Sequence, residues 1–114
     1  MDRIVRGYSY AGKYRPRAAY RTTVENSIYV DVNASRQGIG KSLLMDLIEQ
    51  CEALGFRQMV AVIGDSANTA SINLHADCGF EHIGTLRSLA FKHAQWLDQI
   101  IMQRTLGDGD ETTP

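Results

Sequence analysis

Leu43, Leu44, Leu47, Ile48, Cys51 and Leu54 recur at the spacing of one helix face, and Asp46, Glu49, Gln50 and Glu52 fall on the other. This pattern predicts an amphipathic helix that Gly55 brings to an end. Met59 to Ile63 is a short unbroken apolar run, as expected of a buried parallel strand. Beyond it, Asp65, Ser66 or Asn68 can cap a second helix that reaches about Cys78 and stops at Gly79. Upstream, Ile4 to Ala11 alternates weakly and is rich in Tyr and Val, which reads as a strand. Gly12 to Arg17 contains Pro16 and reads as a loop. Tyr20 to Val32, dominated by Thr, Val, Ile and Tyr, reads as a longer strand broken by Asn33, Ala34 and Ser35. Phe80 to Phe91 and Trp96 to Met102 complete the pattern as two strands joined near His93. Strands alternating with helices in the middle of the chain predict an α/β (α+β) mixed sheet with parallel crossovers. Residues 1–106 read as one domain without internal repeats, and the acidic tail 107–114 is expected to fray.

Composition narrows the partners. With 114 residues and a net charge of -1, the chain has no global electrostatic reason to seek nucleic acid or an anionic membrane. Lys13, Arg15, Arg17 and Arg21 form a local basic cluster suited to a small anion. No apolar run approaches the roughly 20 residues that span a bilayer. Met1 to Gly7 lacks the apolar core of a signal peptide. Cys51 and Cys78 lie in apolar helical patterns and read as reduced core thiols, which places the expectation in the cytoplasm. No His, Cys and Asp grouping has metal-ligand spacing, so no metal is expected.

Arg36-Gln37-Gly38-Ile39-Gly40-Lys41 joins the long strand to the amphipathic helix. A helix start has unpaired N–H groups and partial positive charge, and glycine lets a phosphate approach them. The Rossmann fingerprint fails because its third glycine position is Leu43, and the Walker pattern fails at Ser35. By itself the turn is equally a tight connection and nothing more. Tyr29-Val30-Asp31-Val32 followed by Gly38-Ile39-Gly40-Lys41 and Leu43-Leu44 resembles the pyrophosphate loop of the GNAT N-acetyltransferases, although Ser35 stands at the loop's usual first Gln or Arg. Asn68-Thr69-Ala70-Ser71, Leu74-His75 and Gly79-Phe80 are similar to that superfamily's second helix and the strand after it. Tyr10-Ala11-Gly12, Arg15-Pro16-Arg17, Ala19-Tyr20, Thr23 to Ser27, Arg87, Phe91 to His93 and Trp96 to Asp98 resemble its phosphinothricin and methionine sulfone acetyltransferase branch.

The resemblance implies a GNAT fold, acetyl-CoA as co-substrate and a small amino acid-like amine as acceptor. It implies that Glu25 takes the amine's proton, against the plainer reading of an exposed strand glutamate. It also implies that His75 occupies the place of a general acid toward the sulfur, against that of a structural helix histidine. Val30, Asp31 and Val32 would pair their backbone with the pantetheine arm, Arg36 to Lys41 would hold the diphosphate, and Asn68 would contact the arm or simply cap its helix. Arg15, Arg17 and Tyr20 match a loop near the acceptor, and paired arginines suit a carboxylate or phosphinate. Relatives of this branch carry about sixty further residues before the segment that opens this chain, so the expectation is an N-terminally truncated GNAT domain. Its uncovered edge at Ile4 to Ala11 favours a homodimer. The rival expectation is a catalytically inactive CoA-binding module; a nucleotide-phosphate binder ranks below both.

Overall fold

The computed structural model describes residues 7–30, 38–65 and 68–114, and for Val30 the backbone only. Its strands are β1 (Gly7–Lys13), β2 (Thr23–Val30), β3 (Gln58–Ile63), β4 (Glu81–Lys92) and β5 (Gln95–Thr105). The α-helices are α1 (Ile39–Ala53), between β2 and β3, and α2 (Thr69–Asp77), between β3 and β4. They form one mixed sheet in the order β1-β2-β3-β5-β4. Among the described residues only the β2–β3 pair is parallel, and α1 is its crossover. The predicted mixed α/β sheet is therefore the observed one. Several boundaries shift. Gly12 and Lys13 belong to β1, and Tyr20 ends a 3-10 turn (Ala18–Tyr20), leaving β2 to begin at Thr23.

Both helix ends predicted from glycine are Schellman closures. At α1, Gly55 adopts φ 91°, with Gly55 N donating to Glu52 O at 3.0 Å and Phe56 N to Cys51 O at 3.1 Å. At α2, Gly79 adopts φ 89°, with Gly79 N donating to Ala76 O at 3.1 Å and Phe80 N to His75 O at 3.0 Å. Asn68 caps α2 by accepting from Ser71 N at 3.2 Å. The β4–β5 turn falls at His93 and Ala94, with φ values of 52° and 59°, as a two-residue hairpin turn requires.

One side of the sheet carries the core. Leu44, Ile48 and Cys51 of α1 pack with Met59, Ala61, Ile63, Ile100 and Met102. Cys78, Phe80 and Leu106 close the same cluster. Leu54, expected on the buried stripe, is 75% exposed, because it stands at the helix end where the chain turns into Gly55. On the other side Tyr8, Tyr10 and Tyr29 are exposed and stack on one another. The tail departs from the expectation of fraying. Arg57 Nη1 donates to Gly109 O at 2.8 Å and Thr112 Oγ1 at 2.9 Å, and its Nη2 donates to Thr113 O at 3.2 Å. Gly107 N donates to Glu52 Oε2 at 2.7 Å. One planar guanidinium presents several donors at fixed angles, which is what tying down a short polar segment needs.

Candidate functional site

β2 and β3 pair only through Thr23–Gln58, Val24–Met59 and Glu25–Val60. Beyond Glu25 and Val60 they part, although β3 stays paired to β5 as far as Ile63. The fork encloses a cavity of about 260 Å³. Its walls are Glu25 to Ile28 of β2, Ala61 to Gly64 at the end of β3, and Asn68, Ser71 and His75 of α2. The backbone edges that face each other here have no ladder partner in β2–β3, so an extended ligand bearing amide groups can pair with them.

A second cavity, of about 460 Å³, continues the cleft. It shares Ile28, Asn68 and Ser71 with the first and runs to Gly38, Gly40 and Lys41. Gly38 is the N-cap of α1 at φ 73° and ψ 8°, and no side chain caps this helix. Ser42 N donates to Gly38 O at 3.1 Å, which leaves the earlier N–H groups of the first turn to an outside acceptor. Together with the Lys41 ammonium they suit a phosphate. One cleft thus joins an anion-binding helix start to a slot lined by backbone, with Glu25 of β2 where the slot closes.

Gly38, Gly40, Lys41, Asn68, Glu25 and His75 all line this cleft. Ile39 begins α1 beside them. The Val30 backbone pairs with Gly7. Asp31, Val32, Arg36 and Gln37, expected along the co-substrate's path, lie outside the described residues. Arg15, Arg17 and Tyr20 instead line a separate cavity of about 580 Å³ beneath the C-terminal half of α1, with Leu47, Leu54 and Phe56 on its apolar side. The two sites meet only across β2, where Val24 lines one and Glu25 the other.

His75 is 2% exposed, which sets it apart from a general acid with a free N–H. Its Nδ1 lies 2.8 Å from Ser71 O and its Nε2 lies 3.3 Å from the Asn26 side-chain amide. Burial lowers its pKa below the ordinary 6.5, outweighing the upward pull of the Ser71 carbonyl. Burial likewise raises the pKa of both thiols, Cys51 and Cys78, and both are free cysteines. Sequence reasoning missed Asn26. The available signal was a polar residue between Val24 and Ile28, at a position where β2's alternation calls for an apolar one.

Among the described residues no helix is long and apolar enough to cross a membrane, and no group of three or more His, Cys, Asp or Glu side chains could hold a metal ion.

Comparison with known proteins bears on this cleft. The model of the acetyltransferase (GNAT) family matches residues 3–80. A phosphinothricin N-acetyltransferase from Alcaligenes faecalis is 52% identical over 108 residues, covering 95% of this chain and 55% of that protein. An L-methionine sulfoximine/L-methionine sulfone acetyltransferase from Pseudomonas paraeruginosa is 43% identical, over 90% of this chain and 59% of that one. A Sinorhizobium meliloti phosphinothricin acetyltransferase, solved in complex with AcCoA, superposes with a TM-score of 0.91 at 53% identity. That superposition covers 95% of this chain and 58% of the other. The chain thus spans little more than half the length of these relatives.

Proposed function

The chain belongs to the acetyltransferase (GNAT) family, and on that footing we propose that it serves an N-acetyltransferase that moves an acetyl group from acetyl-CoA to a small amino acid-like amine. Phosphinothricin, methionine sulfone and methionine sulfoximine are the acceptors that the relatives' activities suggest. The observation that carries this reading is the single cleft from the uncapped start of α1 to the fork at Glu25. Acetyl-CoA supplies the activated thioester. The first-turn N–H groups of α1 and Lys41 take its diphosphate, with Arg36 and Gln37 as the further candidates. The β2 edge left unpaired beyond Glu25 holds the pantetheine amides, with the backbone of Val30, Asp31 and Val32 as the further candidates, and Asn68 borders the same path.

Glu25 takes the proton that the attacking amine must lose, directly or through water, so that a neutral lone pair reaches the carbonyl. The departing thiol resembles cysteine, with a free pKa near 8.5, and can leave as a thiolate and take its proton from solvent. Arg15, Arg17 and Tyr20 are the candidates to hold the acceptor's anionic group; among the described residues four cations and no carboxylate line their cavity, which supports that role, although β2 lies between it and the cleft. β1 is an edge of the described sheet, which supports a homodimer through that edge. Reduced, buried thiols are in keeping with a cytoplasmic location, and residues 1–106 would make up the acetyltransferase unit.

Glu25→Gln is the direct test. It should lower kcat by about 10²–10⁴-fold while the Kd for acetyl-CoA stays near its wild-type value. Loss of acetyl-CoA binding with turnover per bound co-substrate intact would overturn the role of Glu25. Thermal stabilisation by CoA without any acetylation of phosphinothricin or methionine sulfone would point to a binding module.

A further inference from the structure

The proton placement on His75 can be worked out from its contacts. Nδ1 stands 2.8 Å from Ser71 O, a group that only accepts, so Nδ1 carries a hydrogen. Nε2 faces the oxygen of the Asn26 amide at 3.3 Å, while the amide nitrogen of Asn26 is buried without a partner. A neutral ring with its hydrogen on Nδ1 would then set a lone pair against an oxygen and strand a buried donor. Rotating the amide by half a turn removes both faults: Asn26 Nδ2 donates to Nε2, and only an oxygen is left unpaired. Amide oxygen and nitrogen are assigned from such networks, and a stranded buried donor is the rarer fault.

We infer that His75 is a neutral positioning residue, hydrogen-donating at Nδ1 and accepting at Nε2 from Asn26, and that this pair sets α2 against β2 at the mouth of the fork instead of relaying a proton. A third contact holds the same ring. His75 and Phe80 meet edge to face at 5.0 Å between centroids, at the Schellman closure where Phe80 N donates to His75 O. The imidazole is therefore held by its own helix, by the strand across the cleft and by the residue that leaves the helix. A neutral ring that gives its one N–H to Ser71 O has no N–H to present to a sulfur.

Glu25 of β2 is the other titratable group that lines the same cavity, and Tyr29 of β2, Lys41 of α1 and Asp77 of α2 line the adjoining one. The end of β3 contributes only Ala61 to Gly64 to the fork. The kinetic consequence rests on the acetyl-transfer reading, but the tautomer does not.

The experiment has two arms. In the first, ¹⁵N-histidine correlation spectra of the unmodified chain, recorded without acetyl-CoA, should show His75 Nε2 unprotonated near neutral pH and gaining a proton only at lower pH than free histidine does. A proton on Nε2 near neutral pH overturns the inference, whatever the protein's activity. In Asn26→Asp, whose carboxylate can only accept, Nε2 should gain a proton and His75 should titrate at higher pH; an Nε2 that stays bare overturns the pairing. In the second arm, His75→Gln should raise the KM for acetyl-CoA about tenfold, a change of about 1.4 kcal/mol. Its kcat should stay within about threefold and its pH profile should keep its shape, while His75→Leu should lose more in KM because it cannot accept from Asn26. A kcat loss of about 10²–10⁴-fold together with a lost limb of the pH profile would restore the proton role and refute ours.

Discussion

Gly38→Val tests the cleft most directly, because the structure separates two costs that usually arrive together. Gly38 sits at φ 73° and ψ 8°. In that region an L-residue costs about 1–2 kcal/mol, and a β-branched one falls toward the upper end. A Cβ built there meets nothing within 4 Å among the described residues, so backbone strain is the cost they impose on the ligand-free protein. For a domain of this size the strain should lower Tm by roughly 3–10 °C. The space around that Cβ is empty because it belongs to the groove shared with Gly40 and Lys41. If a diphosphate lies there, the valine side chain competes for its place. At a CoA concentration of about 100 Kd the wild type gains about 2.7 kcal/mol, and a hundredfold weaker variant gains only about 0.4 kcal/mol. Thermal melts with and without CoA read both effects, the first from the baseline Tm and the second from the ligand shift. Gly38→Asn is the control, since asparagine accepts left-handed backbone readily. It should melt close to wild type and still lose most of the ligand shift. A valine variant that CoA stabilises as fully as the wild type would refute the placement of the diphosphate at the start of α1.

Three further outcomes follow from the geometry. Cys51 and Cys78 are buried with raised pKa values, so they should resist alkylation in the folded protein and react promptly in denaturant; quick labelling by mass spectrometry would contradict this burial. His75 has a folded pKa below its ordinary 6.5, so the unfolded chain binds the extra proton. Its contribution is complete above pH 6.5 and is lost as pH falls toward the folded pKa, by at most about 1.4 kcal/mol per pH unit; denaturant melts should show this fall in the wild type and a smaller one in His75→Gln. Arg57→Ala removes the donors that hold Gly109, Thr112 and Thr113, so limited proteolysis should clip residues 110–114 faster than in the wild type.

What was legible in the sequence shares one property, namely that its cause is local. The stop of α1 at Gly55 and the stop of α2 at Gly79 each depend on residues within one helical turn and appear where the sequence places them, and the α2 cap is Asn68, one of the three candidates Asp65, Ser66 and Asn68. The same holds for the hairpin at His93 and for the glycine turn before α1, whose Gly38 cap is positioned by its own φ. What escaped depends on contacts between distant residues. The fork opens because β2 and β3 stop pairing after Glu25 and Val60, and no pattern within either strand records where a register ends. Arg57 reaches its tail acceptors across 52 to 56 residues, so a segment that looks frayed by composition is held. Asn26 and His75 lie 49 residues apart, and each has a plain reading alone, a strand asparagine and a helix histidine. Their pairing is visible only in the fold, where Nε2 of the imidazole faces the Asn26 amide. The family resemblance marked His75 as a proton donor from its place in the chain. The fold argues for the opposite polarity at Nε2, because Ser71, four residues back, has already claimed the hydrogen for Nδ1.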